Sequence, residues 1–211
     1  MSLAVDAAGD LTVTAPPRVP LARLDDVVRT KAPWVVEKVK RASDRPPPMS
    51  AREFVTGETV RYLGRQYRLK VVRGPDKATT LRGGWIVVQG PASNAARVRA
   101  KVAGWLRERA ERYLPKRLGE LCSRHMVEEP AMVVGEQKAR WGSCDARGTV
   151  RINWRIVQAP VSLVDYVLLH EVTHLVQPAH DDAFWAALGR KMPDYERRRD
   201  RLRVLGADLV W

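Results

Sequence analysis

The stretch His170-Glu171-Val172-Thr173-His174, with His180 six residues further on, gives the clearest indication of fold and chemistry in this chain. Two histidines four residues apart on a helix project from the same face. Two neutral imidazoles placed in this way can hold one zinc ion at roughly 2.0–2.1 Å each. Three of the four histidines in the chain fall within this short segment. We therefore predict a metal site.

The residues around the second histidine indicate how a third ligand could reach the metal. Pro178 disfavours helical geometry at Gln177 and tends to end the helix, so the chain can turn His180 back toward the ion. Glu171 directly follows the first ligand, where it can act as general base on an activated water. A buried helix with merely hydrogen-bonded histidines is the alternative, and the clustering of the histidines disfavours it.

Length and composition restrict the class of protein. The 211 residues, 45% of them hydrophobic and 29% charged, suffice for one large domain or two small ones. No apolar run is long enough to cross a membrane, and the first ten residues lack the basic and apolar regions of a secretory signal. Cys122 and Cys144 are too few for a disulfide framework, so we expect free thiols. These features favour a cytoplasmic protein and give no indication of an obligate protein partner.

The net charge of +13, from 37 basic and 24 acidic residues, bears on the choice of partner. Such a charge attracts phosphates, nucleic acid or anionic membranes. The arginines are spread along the whole chain, which fits either a generally basic surface or an anionic substrate. Nucleic-acid binding is less favoured as the main function, because neither zinc-finger spacing nor an aromatic-basic motif of a single-strand binder is visible.

Residues 1–93 are predicted to form a β-rich region with one helix. A strand over 11–16 precedes a helix over 21–42 that breaks at Pro33, and residues 45–48, Arg-Pro-Pro-Pro, are expected to form a stiff linker. Glycine-containing turns separate the next three strands, so a meander is expected. These strands are ETVRYLG (58–64), RQYRLKVV (65–72) and GGWIVVQG (83–90).

Residues 94–211 are predicted to carry the catalytic chemistry, although both regions could form one integrated domain. A long helix over 94–125 should be kinked or divided at Pro115, and His125 at its end is expected to cap it or lie on the surface. Two short strands joined by a turn around 145–148 should follow. Helices are then expected over 163–176, 182–189 and 194–205.

The helix that carries the first two histidines is expected to be central. Its residues 163–176 are apolar nearly all round, which is typical of a buried helix. Ser162 could cap its N-terminus, with Asp165 three residues on. Upstream, Trp141 and Gly142 suit a tight turn where backbone passes close to another element.

Two runs in this region resemble the YgjP-like metal-dependent hydrolases, zincin relatives. They are QKARWGSCDARGTVRINWRIVQAP (137–160) and DYVLLHEVTHLVQPAHDDAFW (165–185). The resemblance implies a zincin-like α+β fold with a β-rich N-terminal part. A strand hairpin would lie beside the active-site helix of a helical catalytic part. His170, His174 and His180 correspond to the metal ligands, and Glu171 to the catalytic acidic residue.

The resemblance has one departure, at the residues that flank the third histidine. The family has asparagine before it and serine after it, where this chain has Ala179 and Asp181. The hydrogen bond that orients the third ligand is therefore expected to come from elsewhere. The metzincins share the histidine spacing, but they place glycine at the position of Gln177, and no convincing Met-turn is present here.

Two enzymatic activities and one binding role fit these residues. The first is peptidase-type hydrolysis with one Zn²⁺ per chain and Glu171 as general base. The second is pyrophosphohydrolysis of nucleoside triphosphates, in which Arg140, Arg151 or Arg155 would neutralise phosphates. The third is a nucleic-acid-binding protein with a structural zinc, which Glu171 and an open fourth coordination position disfavour. Peptide and nucleotide both stay open as substrate.

The strands next to the metal helix suggest how a substrate could bind. An extended peptide could pair with the strand over 150–155 or with that over 132–138. Arg140 could hold a phosphate or carboxylate through its two-pronged guanidinium, or it could form a structural ion pair.

Overall fold

The computed structural model describes residues 2–5, 11–16, 19–43, 52–91, 94–137, 140–209 and 211. The chain divides into two compact units, residues 1–49 and residues 50–211. The division therefore follows residues 45–48, the predicted linker, which lie outside the described residues. The boundary predicted between residues 93 and 94 differs from this division. Ser93 also lies outside the described residues. The long helix that starts there packs on the strands before it, so both belong to one core.

The first unit contains one antiparallel hairpin and two helices. They are β1 (Ser2–Val5), β2 (Leu11–Thr14), α1 (Leu21–Thr30) and α2 (Ala32–Ser43). The helices separate at Lys31 and not at Pro33, because proline is tolerated in the first turn of a helix, where Pro33 stands. The valines of the predicted helix, Val35, Val36 and Val39, were expected to pack on one face, but Val36 is 65% and Val39 37% exposed.

The second unit begins with a four-stranded sheet. Its strands are β3 (Thr59–Tyr62), β4 (Arg65–Arg73), β5 (Lys77–Arg82) and β6 (Trp85–Gly90). Their order is β3-β4-β6-β5, with β6 parallel to β4 and antiparallel to β5. The predicted meander is wrong, because residues 77–82, Lys-Ala-Thr-Thr-Leu-Arg, form a strand despite their weak apolar alternation. This strand pairs with β6 through the Gly83-Gly84 turn and so occupies the outer side of β6.

A helix of 30 residues, α3 (Ala95–Arg124), covers one face of this sheet. The side chain of Asn94 caps it by accepting a hydrogen bond from the backbone N–H of Arg97 at 2.8 Å. The helix continues through Pro115 as one element, and His125 is its C-cap residue, as predicted. No helix in the described part of the chain combines the length and apolarity needed to cross a bilayer.

A second sheet and the remaining helices follow. They comprise β7 (Met132–Gly135), β8 (Gly142–Cys144), β9 (Val150–Asn153), a 3-10 helix (Trp154–Gln158), α4 (Val161–Thr173), α5 (Asp182–Lys191), α6 (Tyr195–Gly206) and a short 3-10 helix (Ala207–Leu209). The order is β7-β9-β8, with β8 and β9 antiparallel. Their turn lies where it was predicted, and Asp145 closes it by accepting the N–H groups of Arg147 and Thr149, both at 3.0 Å.

The helix α4 lies at the centre of this unit and contacts α3, α5, α6, β8 and β9. The predicted cap at Ser162 is wrong, because α4 begins at Val161 and its N-cap is Pro160, without a side-chain hydrogen bond. Asp165 forms an ion pair between two helices instead of a capping interaction. It accepts two hydrogen bonds of 2.7 Å from the Nε and NH2 groups of Arg117, which joins α4 to α3.

Replacing Arg117 with lysine should lower the free energy of unfolding by about 1–3 kcal/mol. Lysine keeps the charge but loses the fork that holds both Asp165 oxygens in a largely buried position. Chemical denaturation followed by circular dichroism measures this difference. The matched control is Arg112→Lys, whose i,i+4 pair with Glu108 is exposed and should contribute at most about 0.5 kcal/mol. Equal losses in both variants would contradict a special role for the α3–α4 ion pair.

Candidate metal centre

Three imidazoles from α4 and the following loop converge on one point. The Nε2 atom of His180 lies 3.1 Å from Nε2 of His174 and 2.9 Å from Nε2 of His170. All three candidate ligand atoms lie within 4.8 Å of one another. Nitrogens bound at about 2.0–2.1 Å to a tetrahedral zinc ion are about 3.3 Å apart. The three histidines are therefore positioned to bind a metal of this size.

The chain path after α4 explains how His180 reaches the other two rings. The last helical turn loosens at His174, whose N–H donates to the carbonyl of Glu171 at 3.2 Å. Pro178 then prevents the helix from continuing. Asp181 starts α5 by accepting the N–H of Phe184 at 2.9 Å. A capped helix thus begins immediately after His180, which holds this ligand where the loop turns back.

Phe184 forms a wall shared by all three histidine rings. Its ring centroid lies 4.9 Å from that of His170, 4.6 Å from His174 and 4.7 Å from His180. The side chain is fully buried, as expected for a core residue. Contact with every ligand could not be predicted from the sequence. The one signal in the sequence is the position of Phe184 in the first turn of a helix capped by Asp181, which directs its side chain toward the loop before that helix.

The surroundings of His170 and His180 favour the neutral imidazole, which is the form that binds metal. The pKa of His170 is lowered to about 3, mainly by burial and in part by the neighbouring His174 and His180. Burial and His174 also lower the pKa of His180. His174 Nδ1 lies 3.0 Å from the carbonyl oxygen of Gln177. Donation of that N–H leaves a lone pair on Nε2, toward the centre of the cluster. The donor set therefore fits a zinc ion.

The second ring nitrogens of His174 and His170 have different surroundings. The role of Gln177 as acceptor for His174 was not predicted, since its carbonyl becomes available only because the helix ends there. The Nδ1 atom of His170 is buried and finds no hydrogen-bond partner among the described residues.

Glu171 is buried beside the histidines, at 5% exposure. Burial raises its pKa to about 7, while the positive charge of Arg140 acts in the opposite direction. The carboxylate lies against the backbone of Gly142 in β8. A Cβ added at Gly142 would lie 2.6 Å from Oε1 of Glu171 and 2.8 Å from its Cδ. The prediction that the backbone at Gly142 passes close to another element is thus confirmed. The residue lies in a strand, however, and not in the predicted turn.

The three arginines predicted as substrate contacts have different surroundings. Only Arg140, which is exposed, acts electrostatically on Glu171. Arg151 lies on the other face of the sheet, because its neighbours Val150 and Ile152 point into the core. Arg155 is largely buried, donates to Glu136 at 2.7 Å and stacks on the Trp154 ring at 4.4 Å. The structure therefore brings Arg140 to the site and leaves the other two away from it.

The strand β8 leaves one backbone edge open beside α4. Within the described chain, β8 pairs only with β9. The backbone N–H of Asn153 donates to the carbonyl of Trp141 at 2.8 Å, and that of Asp145 donates to the carbonyl of Thr149 at 3.1 Å. In an antiparallel ladder the residues between such pairs direct their N–H and C=O groups away from the partner. Gly142 and Cys144 occupy alternate positions of that kind, so their backbone groups face the open edge.

Comparison with known proteins adds three findings. No protein of curated function matches this sequence significantly. Among solved structures, the metallopeptidase zymogen of Pyrococcus abyssi abylysin is similar to part of this chain. The TM-score is 0.36 and the identity 17%, with 44% of this chain and 90% of that chain covered. Residues 1–204 match the family described as YgjP-like, metallopeptidase domain. Because this match spans nearly the whole sequence, the chain belongs to the YgjP-like family.

Proposed function

We propose that this protein is a zinc-dependent hydrolase of peptides with a zincin-like catalytic region. His170, His174 and His180 would hold one zinc ion, and Glu171 would act as general base. The observation that carries this proposal is the convergence of three imidazoles next to a buried carboxylate. Membership in a family with a metallopeptidase domain supports a metal-dependent hydrolase.

The chemistry divides between the metal and the side chains of the chain. A zinc ion held by His170, His174 and His180 would supply Lewis acidity toward the carbonyl of the bond to be cut. The Oε1 atom of Glu171 accepts a proton from the attacking water and returns it to the leaving amine. A pKa near 7 suits such a base, because it can take up and release a proton near neutral pH. Gly142 limits where this carboxylate can move.

Two observations favour a peptide over a nucleoside triphosphate. The open edge of β8 offers backbone donors and acceptors to an extended peptide, next to the carboxylate of Glu171. The predicted alternative of pairing along 150–155 is excluded, because β9 already has a partner on both sides. A triphosphate would need several cations around the metal, whereas Arg155 is committed to Glu136 and Arg151 faces away.

The purified protein should contain about one zinc per chain, and His174→Ala should lose most of it. Removal of one of three ligands leaves too few donors to hold the ion tightly. Elemental analysis after dialysis measures the zinc content. His125→Ala is the matched control, because this fourth histidine caps α3 and is not part of the cluster. Full zinc in His174→Ala, or equal losses in both variants, would exclude the proposed ligand set.

Replacing Glu171 with glutamine should keep the fold and the zinc but lower hydrolysis about 10²–10⁴-fold. The amide has nearly the same shape but cannot accept a proton. The assay presents an unstructured peptide pool and, in parallel, nucleoside triphosphates to the zinc-loaded protein. Glu128→Gln is the control, because Glu128 is exposed and lies outside the cluster.

The same assay separates the two substrate classes. Peptide cleavage that disappears in Glu171→Gln supports the proposed activity. Pyrophosphate release that disappears in Glu171→Gln, without peptide cleavage, would replace it with the nucleotide activity. Activity that survives in Glu171→Gln would remove this residue from the mechanism.

The contact between Gly142 and Glu171 can be tested without a substrate. Gly142→Ala should lower the free energy of unfolding by about 1–3 kcal/mol, because the added methyl group has no room. In the Glu171→Ala background the same change should lower it by less than about 1 kcal/mol, since the obstructing carboxylate is gone. Gly135→Ala in β7 is the control, because nothing lies within 4 Å of its added Cβ. Equal effects in both backgrounds would show that Gly142 does not position Glu171.

A further inference from the structure

The four-stranded sheet of the second unit has a second face, away from α3, on which one row of residues crosses all strands. The strand registers place Thr59 beside Arg68, Arg68 beside Trp85, and Trp85 beside Arg82. Neighbouring strands lie about 4.8 Å apart. One tryptophan therefore stands between two arginines, each a single strand away from it.

Alternation along the strands sets these side chains apart from the core. Leu69 and Ile86, the next residues along β4 and β6, are fully buried and belong to the core. Arg68 and Arg82 are exposed, and Trp85 is half-buried without being part of that core. Burial in the interior thus does not account for the tryptophan. We refer to Arg68, Lys70, Arg82 and Trp85 as the basic row.

The charge of this face has one sign only. The strands β3, β4, β5 and β6 contain lysine and arginine but no aspartate or glutamate. Lys70 stands two residues beyond Arg68 on the same face, beside Val87. In the part of the chain that the structure describes, none of the three cations of the basic row forms an ion pair. By contrast, Arg117 and Arg155 are held by carboxylates.

We propose that the basic row binds single-stranded nucleic acid. The half-buried indole of Trp85 offers a face on which an unpaired base can stack, and cations on both sides can contact the phosphates that precede and follow this base. The proposal stands apart from the hydrolytic site, because none of these residues belongs to the histidine cluster.

Single strands fit this surface better than the other anionic partners. A duplex keeps its bases stacked on one another, so no base face is free to stack on Trp85. An acidic peptide would pair with the arginines but leave the indole unused. An anionic membrane would require apolar side chains that protrude, whereas Trp85 is half-buried between its neighbours.

The test measures binding of the full-length protein to a fluorescently labelled thymidine 12-mer by anisotropy, at several salt concentrations. Affinity should fall as salt rises. Trp85→Ala should lower it about tenfold, because a stacked base is lost, while Trp85→Phe should retain most of it. Arg68→Gln combined with Arg82→Gln should lower the magnitude of the slope of log affinity against log salt by about 1.4.

Control variants separate the basic row from the general positive charge. Arg99→Gln combined with Arg124→Gln removes the same charge from exposed positions of α3. This control and His174→Ala should bind the oligonucleotide nearly as the original protein does. Circular dichroism should show that Trp85→Ala folds normally, since Trp85 lies outside the core.

Three outcomes would overturn the proposal. The first is unchanged affinity in Trp85→Ala. The second is an equal loss in the α3 control or in His174→Ala, which would assign binding to the overall field or to the metal site. The third is a Trp85-dependent binding of polyglutamate, or of vesicles with phosphatidylserine, that is as tight as that of the 12-mer.

Discussion

The burial of α4 on nearly every side is the constraint on which the rest of the site depends. A buried helix must satisfy or neutralise each polar group that it carries. Asp165 is held by Arg117 of α3, and the hydroxyl of Thr173 donates to the carbonyl of Leu169 at 2.7 Å. Glu171 fits beside Gly142, because no side chain occupies that place. The same dry surroundings keep His170 neutral and so leave its nitrogen available to a metal.

The arginines of this basic chain divide into two groups with different physical roles. Arg117 and Arg155 are largely buried and paired with carboxylates, so they join elements and add little to the outer field. Arg68 and Arg82 are exposed on a face without acidic residues, where their charge is available to a partner. A net charge of +13 therefore says little by itself about where anions bind. The division follows from packing, since a carboxylate can hold an arginine only where the fold brings both together.

Local patterns allowed much of the secondary structure to be predicted. The long helix after Asn94, the turn at 145–148 and the apolar helix with the two histidines all follow from capping residues, turn residues and periodicity. The strand at 77–82 did not, because its residues are mostly polar and show only weak apolar alternation. Ser162 has the chemistry of a cap but lies inside α4, which begins at Val161 with Pro160 as its N-cap. Pro115 lies inside α3 and does not divide it.

The sequence by itself determined the candidate ligands and the candidate base, because these depend on spacing along one helix and on a proline soon after it. Two histidines four residues apart share a face whatever surrounds them. Only the tertiary structure decided that Phe184 contacts all three rings, that Gly142 leaves room for Glu171, and which predicted arginine lies at the site. It also decided that Trp85 stands between Arg68 and Arg82. Such contacts join residues from different strands and helices, and strand order and register are set by the packing of the whole core.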